Sequence, residues 1–344
     1  MAYRTLQHCI TDLESKGELL RITKEIDPNL EIAAIHLDEF AKGGKAILFE
    51  DIKGSKFRTV SNLFGTLERS KFMFRDSLNQ VKQLIDLKTN PASVLKNLFK
   101  AIFTALHAIY AIPIKVRFPR KFKEIQIEDL PQVKCWKEDG GAFITLPQVY
   151  SEDIENPGIM NSNLGMYRVQ LSGNDYVLNK EVGMHYQIHR GIGVHQHKAN
   201  KKGEPLKVSI FVGGPPAHTF AAVMPLPEGM SEMAFAGILG GRSFRYAKKD
   251  GYTISADADF VICGELHQND VKPEGPFGDH LGYYSLKHDF PVLKVKKVYA
   301  KENAIWPFTV VGRPPQEDSQ FGALIHAITG KAIEKEIPGL KAVN

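Results

Sequence analysis

Apolar positions in the first ninety residues alternate between two periods. In "TLQHCITDLESKG" they recur at the spacing of one helical face, and Gly17 ends the run; "NLEIAAIHLDEFAKGG" repeats the pattern and ends at Gly43. A glycine stops a helix at little steric cost because it accepts the left-handed conformation. Between and after these helices, "ELLRITKEI" and "KAILFEDI" read as strands, so the opening is an α/β unit. "RDSLNQVKQLIDLK" predicts a further helix ending before Asn90 and Pro91. Residues 94–123 predict an apolar helix that stops near Pro113 and runs into a basic stretch. It has no cleanly separated polar face, which favours a packed linker between domains; the alternative is peripheral contact with an anionic membrane.

Beyond Asp129 the period shortens. "GGAFITLPQVYS", "GMYRVQLSGNDYVLN", "KVSIFVGG", "TISADADFVICGEL" and "FPVLKVKKVYAKENAIWPFTVVG" are rich in Val, Ile, Phe, Tyr and Thr, with "SGND" and "KEN" as turns. So many short strands predict a mostly antiparallel barrel, interrupted by one helix around "SEMAFAGILGG". A new helix begins in "SQFGALIHAITGKAIEKEIPGLKAVN". No internal repeat or low-complexity tract is present.

The length of 344 residues allows two or more domains, and 43% hydrophobic with 24% charged residues is an ordinary globular composition. The longest apolar run, residues 101–112, is too short to span a membrane. A net charge of +5 spread along the chain argues against nucleic acid. Cys9, Cys135 and Cys263 are far apart and form no C-x-x-C, so neither a disulfide framework nor a thiolate zinc site is indicated. "MAYRTLQHCITDLESKG" carries no secretory signal, and the expected compartment is the cytoplasm.

Four stretches carry candidate chemistry. "HYQIHRGIGVHQH" holds His185, His189, His195 and His197. On a helix the first two would share a face, on a strand the last two, and a zinc hydrolase is one reading, although no H-E-x-x-H pattern is present. "NSNLGMYRVQ" places Asn163 and Arg168 around a glycine; an arginine there suits a phosphate or carboxylate, or is simply a surface residue. In "PEGPFGDHLGYYS", Glu274 and Asp279 stand five apart in a loop stiffened by proline. Two close acids repel, so one keeps its proton and becomes a candidate general acid; a solvated turn is the plainer reading. "MPLPEGMSEMAFAGILGG" carries Glu228 and Glu232, the latter in a first helical turn behind Ser231, where the helix dipole accounts for it. Glu232 with an asparagine and a histidine would alternatively suit manganese or magnesium.

Taken together, "GELLRI", "NLFG", "CWKEDGGAFITLPQVYS", "NLGMYRVQ", "HYQIHRG", "MPLPEGMSEMAFAGIL", "PEGPFGDHLGYYS" and "VGRPPQEDSQFGALIH" resemble the UbiD family of reversible carboxy-lyases, which work with prenylated FMN. The resemblance implies an α+β chain: an N-terminal α/β domain with linker helix over 1–125, a flavin-reductase-like split β-barrel over 126–315 and the start of a C-terminal α/β domain over 316–344. It implies Mn²⁺ held by Asn163, His189 and Glu232, with K⁺ close by, and places Met166, Tyr167, Arg168, His185, Tyr186, Gln187, Arg190 and Gly191 at the cofactor. It implies Arg168, Glu274 and Asp279 as the catalytic set, with Asp279 where some members carry glutamate, and gives His195 and His197 no role.

The implied reaction is decarboxylation of an aromatic or α,β-unsaturated acid, of the polyprenyl-4-hydroxybenzoate kind, with a flavin prenyltransferase supplying the cofactor. Members usually extend further, so the resemblance implies a chain cut early in its third domain. With that domain complete a homo-oligomer is expected; without it, a flavin-binding or assembly module lacking activity is the alternative.

Overall fold

The structure, a computed structural model, describes residues 2–89, 106–226 and 230–336. The apolar stretch expected as a linker helix, with its alternative membrane contact, falls largely outside these residues, as does Glu228. Among the described residues no helix is long and apolar enough to cross a membrane.

The opening α/β unit forms as the pattern predicts. Helix Leu6–Ser15 buries Leu6, Cys9, Ile10 and Leu13, one face of a 3.6-residue period, and Thr5 caps it by accepting from the His8 amide at 3.1 Å. Gly17 and Gly43 adopt φ of +78° and +63° after their helices. Strand Leu19–Ile26 pairs in parallel with Ala46–Ile52, which pairs antiparallel with Arg58–Ser61. The fourth strand of this sheet, Ile305–Pro307, arrives from far down the chain and lies parallel to Arg58–Ser61.

A second, nine-stranded sheet makes the larger body, and all its pairings are antiparallel. Its order is Phe143–Ile144, Val169–Gln170, Glu181–Met184, His288–Lys301, Phe260–Glu274, Leu206–Val212, Gln148–Glu152, Ser162–Gly165, with Phe122–Ile125 also along His288–Lys301. It curls without pairing its two end strands, so the antiparallel expectation holds while the sheet stays open. Alternate side chains bury on opposite faces: Val208, Ile210 and Val212 join one apolar cluster and Phe211 the other. Both faces are covered, which is why "KVSIFVGG" reads as a nearly unbroken apolar run.

Three sequence expectations change. Besides Glu232–Gly240, two more helices interrupt the strands, Gly191–Lys202 and Pro216–Val223. "TISADADFVICGEL" is two strands, Tyr252–Ser255 and Phe260–Glu274, divided where Asp257 and Asp259 are buried. The Asp259 carboxylate accepts from the Gly214 amide at 2.6 Å, so this acid ties a loop and does not face water. Finally, Phe260–Glu274 and His288–Lys301 form one long hairpin whose last pair is Glu274 with His288, so Glu274 ends a strand and the "GPFGDHLGYYS" loop is the hairpin's tip.

Candidate active site

A cleft of about 660 Å³ opens beside that tip. Its walls include Asn163, Met166, Tyr167, Arg168, His185, Tyr186, Gln187, His189, Arg190, Gly191, Glu232 and Asp279. Of the residues that the family resemblance assigns to catalysis, cofactor or metal, Glu274 alone is absent from the wall; it is fully buried and bonded to Arg168.

Backbone pairing brings the parts together. Arg168 directly precedes strand Val169–Gln170, which pairs with Gly183 and Met184, and the pairing continues as the His185 amide donates to the Arg168 carbonyl at 3.2 Å. Gly165 is required just before it, because a Cβ there would lie 2.3 Å from the Tyr167 ring.

Arg168 and Glu274 form a two-pronged ion pair. Nε donates to Oε1 and Nη2 to Oε2, both at 2.8 Å; Nη2 also donates to Ser285 Oγ at 3.1 Å, and the guanidinium lies 4.6 Å from the centre of the Phe277 ring. Nη1 has no protein partner among the described residues, which leaves one donor edge of the arginine for a ligand. His185 Nδ1 lies 3.0 Å from Glu274 Oε2 while its ring packs on Phe290. Burial pushes the Glu274 carboxyl up, but Arg168 and His185 outweigh it and hold it below the ordinary glutamate range. Glu274 is therefore an ionised acid held by a cation. An ionised carboxylate only accepts, so His185 Nδ1 carries the hydrogen.

Asp279 stands in the loop between Phe277 and Ser285. Its amide donates to the Tyr283 carbonyl at 2.9 Å, and its Oδ1 accepts from the His280 amide at 2.6 Å and meets His280 Nδ1. Gly278 cannot be larger, since a Cβ there would lie 2.1 Å from the Trp136 ring.

At the other end of the cleft Glu232 opens its helix behind Ser231, as the sequence predicts, although the Ser231 side chain makes no cap. Burial pushes the Glu232 carboxyl above the usual range, and its described hydrogen bond comes from the Leu164 amide at 3.4 Å. It has no ion pair among the described residues. Asn163, next to Leu164, lies against Gly191, whose Cβ would approach the Asn163 Oδ1 to 2.1 Å, and its amide is 3.4 Å from the Tyr167 hydroxyl. A half-buried carboxylate without a counter-cation among the described residues, lining the same cleft as an amide oxygen and the exposed His189 imidazole, belongs to a donor set of the types that suit a hard divalent ion. Gly191 starts a twelve-residue helix whose N-cap, Arg190, supplies no side-chain cap, and such a helix start suits an anion.

The four histidines part company. His185–Arg190 is loop and His195 and His197 lie on helix Gly191–Lys202, so neither the helix for the first pair nor the strand for the last is formed. His195 Nδ1 lies 2.9 Å from the buried Ser151 hydroxyl, His197 faces solvent, and only His185 and His189 reach the cleft. Among the described residues no group of three or more His, Cys, Asp or Glu side chains is placed to hold a metal ion, which removes the ground for a histidine zinc cage. Sequence reasoning missed Ser285, Phe277 and the Glu274 contact of His185; the first two sit in the quoted "PEGPFGDHLGYYS", but nothing in its spacing marks them.

Comparison with known proteins follows the same outline. Residues 112–314 match the 3-octaprenyl-4-hydroxybenzoate carboxy-lyase Rift-related domain, and residues 10–88 match the N-terminal domain of the same family. The chain is 36% identical over 343 residues to a subunit of the 4-hydroxybenzoate decarboxylase of Chlamydia pneumoniae, covering 98% of this chain and 57% of that protein. An uncharacterized protein of Chlamydia caviae is 37% identical over 349 residues, and this chain spans 58% of its length. Vanillic acid decarboxylase of Sedimentibacter hydroxybenzoicus in closed form superposes with a TM-score of 0.84 at 25% identity, over 100% of this chain and 72% of that one. The fold is also that of the UbiD-class enzyme HmfF from Pelotomaculum thermopropionicum, solved in complex with FMN, with a TM-score of 0.77 at 22% identity over 97% of this chain and 71% of the other.

Proposed function

Since this chain belongs to the UbiD family of carboxy-lyases, we propose that it takes part in reversible, non-oxidative decarboxylation of an aromatic or α,β-unsaturated acid, of the polyprenyl-4-hydroxybenzoate kind, with prenylated FMN in the 660 Å³ cleft. The observation that carries this reading is the Arg168–Glu274 ion pair, whose arginine lines the same cleft as Asp279 and keeps an Nη1 without a partner among the described residues. Domains over 1–125, 126–315 and 316–344, the middle one a split barrel, are the division we adopt, although Phe122–Ile125 and Ile305–Pro307 each pair across it.

Asn163, His189 and Glu232 would hold Mn²⁺, with K⁺ nearby, and the helix start at Arg190 and Gly191 would face the flavin phosphate. Met166, Tyr167, His185, Tyr186 and Gln187 would line the ring. When bound, the prenylated flavin supplies the sink for the electron pair left as carbon dioxide departs, which no side chain supplies. Arg168 orients the substrate carboxylate through Nη1. Glu274 acts through Arg168, fixing the guanidinium plane and balancing its charge. Loss of CO₂ from a carboxylate leaves the carbon short of one proton, and Asp279, which lines the cleft, delivers it. The buried, ionised Glu274 is a poor donor by comparison. A flavin prenyltransferase would supply the cofactor, and self-association would accompany activity.

The test is reconstitution with prenylated FMN and Mn²⁺ and a panel of aromatic and unsaturated acids. Asp279→Asn is expected to keep the cofactor absorbance and lose turnover; retained turnover would remove Asp279 from its role. A flavin band with no turnover in the unsubstituted protein would favour a non-catalytic flavin-binding module.

A further inference from the structure

The Arg168–Glu274 pair joins two segments that meet nowhere else in the strand order: Val169–Gln170 lies three strands from Phe260–Glu274. Something other than the sheet ladder must hold the Glu274 backbone in register with Arg168. Asn174, in the "SGND" turn just after Gln170, is built for this. Its φ is +46°, a left-handed conformation that asparagine tolerates, and it turns the side chain back toward the hairpin. Nδ2 donates to the Gly275 carbonyl at 2.7 Å and to the Pro273 carbonyl at 3.1 Å, the residues on either side of Glu274. Gln170, fully buried, accepts from the Gly275 amide through Oε1 at 2.8 Å, and Asn174 Nδ2 lies 3.3 Å from that same oxygen. The clasp has no slack. A Cβ on Gly140 would come within 2.2 Å of the Gly275 carbonyl oxygen, so the peptide after Gly275 is wedged between Gly140 and the Asn174 amide.

We propose that Asn174 is a positioning residue for the Arg168–Glu274 pair: its amide fastens the two carbonyls flanking Glu274 and so sets the carboxylate in the plane of the guanidinium. This deepens the decarboxylase reading and rests on it for its consequence in turnover. Two bonds from one amide hold the backbone at two points, which fixes both the position and the rotation of the segment between them. Without them Glu274 keeps its burial but loses its two-pronged geometry, and Arg168 loses the orientation that leaves Nη1 toward the cleft. The charged and titratable groups facing Glu274 include Arg168 and His185, which bond to it, Tyr176, whose buried hydroxyl lies over Gly183, and His288, its partner across the hairpin.

The experiment uses two substitutions and two readouts. Asn174→Gly removes the amide and keeps the left-handed backbone, whereas Asn174→Asp keeps the shape and cannot donate to a carbonyl. In the protein without cofactor, the Arg168 Nε–H proton, bonded to Glu274, is followed by ¹H–¹⁵N NMR and assigned by its loss in Arg168→Lys. Both variants are expected to shift this signal or lose it to exchange, with backbone amide resonances elsewhere unchanged. In the reconstituted enzyme, kcat is expected to fall by about tenfold to a hundredfold with KM nearly constant, and the acid limb of the pH–rate profile to move to higher pH as the carboxylate loses its cation. An unaltered Nε–H signal in a folded variant, or an unmoved acid limb, overturns the assignment. If the unsubstituted protein turns over no acid, the decarboxylase reading fails while the NMR comparison still decides the role of Asn174; if one variant does not fold, the other carries the test.

Discussion

Substituting Glu317 by glutamine is expected to change how stability depends on pH, without disturbing the fold. Glu317 begins the helix Glu317–Glu336, is wholly buried, and accepts from the Phe64 amide at 2.7 Å through one oxygen, while the other oxygen has no partner. Burial, only partly opposed by that bond and by the Arg69 guanidinium, raises its pKa from 4.5 to about 7. Between those values the unfolded chain has released a proton that the folded chain still holds, so stability from this group is present below pH 4.5 and is lost as pH rises toward 7. The displacement corresponds to roughly 3 kcal/mol at completion. Glutamine keeps the carbonyl acceptor for Phe64 and never ionises. The stability difference between the variant and the parent should therefore grow in the variant's favour by roughly 2–3 kcal/mol between pH 4.5 and pH 8. Urea unfolding followed by tryptophan fluorescence, with Trp306 buried as the reporter, measures it at several pH values. A constant offset between the two proteins is immaterial, since the slope carries the argument; two parallel pH curves would refute it.

Arg168→Lys offers a point charge in place of a two-pronged fork, and kcat/KM should drop about a hundredfold or more while the cofactor absorbance stays; a drop under about threefold counts against the ion pair. Glu232→Gln should abolish tight Mn²⁺ binding in calorimetry, and in the parent protein Mn²⁺ affinity should weaken as pH falls, because burial raises the carboxyl that must be ionised to bind. Equal affinity in parent and variant excludes Glu232 as a ligand. Gly191→Ala pushes a methyl against the Asn163 amide and should weaken Mn²⁺ binding about tenfold with the melting midpoint unchanged; the calorimetric titration decides it.

Where helix and strand periods were clean, the sequence was sufficient: the first helix and the Gly17 and Gly43 stops could be read directly. The helix Gly191–Lys202 escaped because "GIGVHQHKANKK" has two glycines in its first turn and a weak apolar face, and it is held by burial of Ile192 and Ala199 against the sheet. Pro216–Val223 escaped for the opposite reason: seven of its eight residues are buried, and an apolar run without a polar side has no readable period. At the site, residue types announced an arginine, two acids and a set of metal-ligand types, but which of them touch was decided by tertiary structure. Glu274 looked like a loop acid and is the end of a strand, and His185 looked like part of a histidine cluster and is bonded to Glu274.

The return of Ile305–Pro307 to lie beside Arg58–Ser61 has a consequence for biosynthesis. As the polypeptide leaves the ribosome, its first three strands emerge some 240 residues before their fourth neighbour. Until then Arg58–Ser61 presents an open hydrogen-bonding edge, an invitation to foreign strands. Closing so wide a sequence gap is slow compared with forming local hairpins, so the nascent amino-terminal layer depends on shielding, by a chaperone or by its own helices, until translation has passed residue 307.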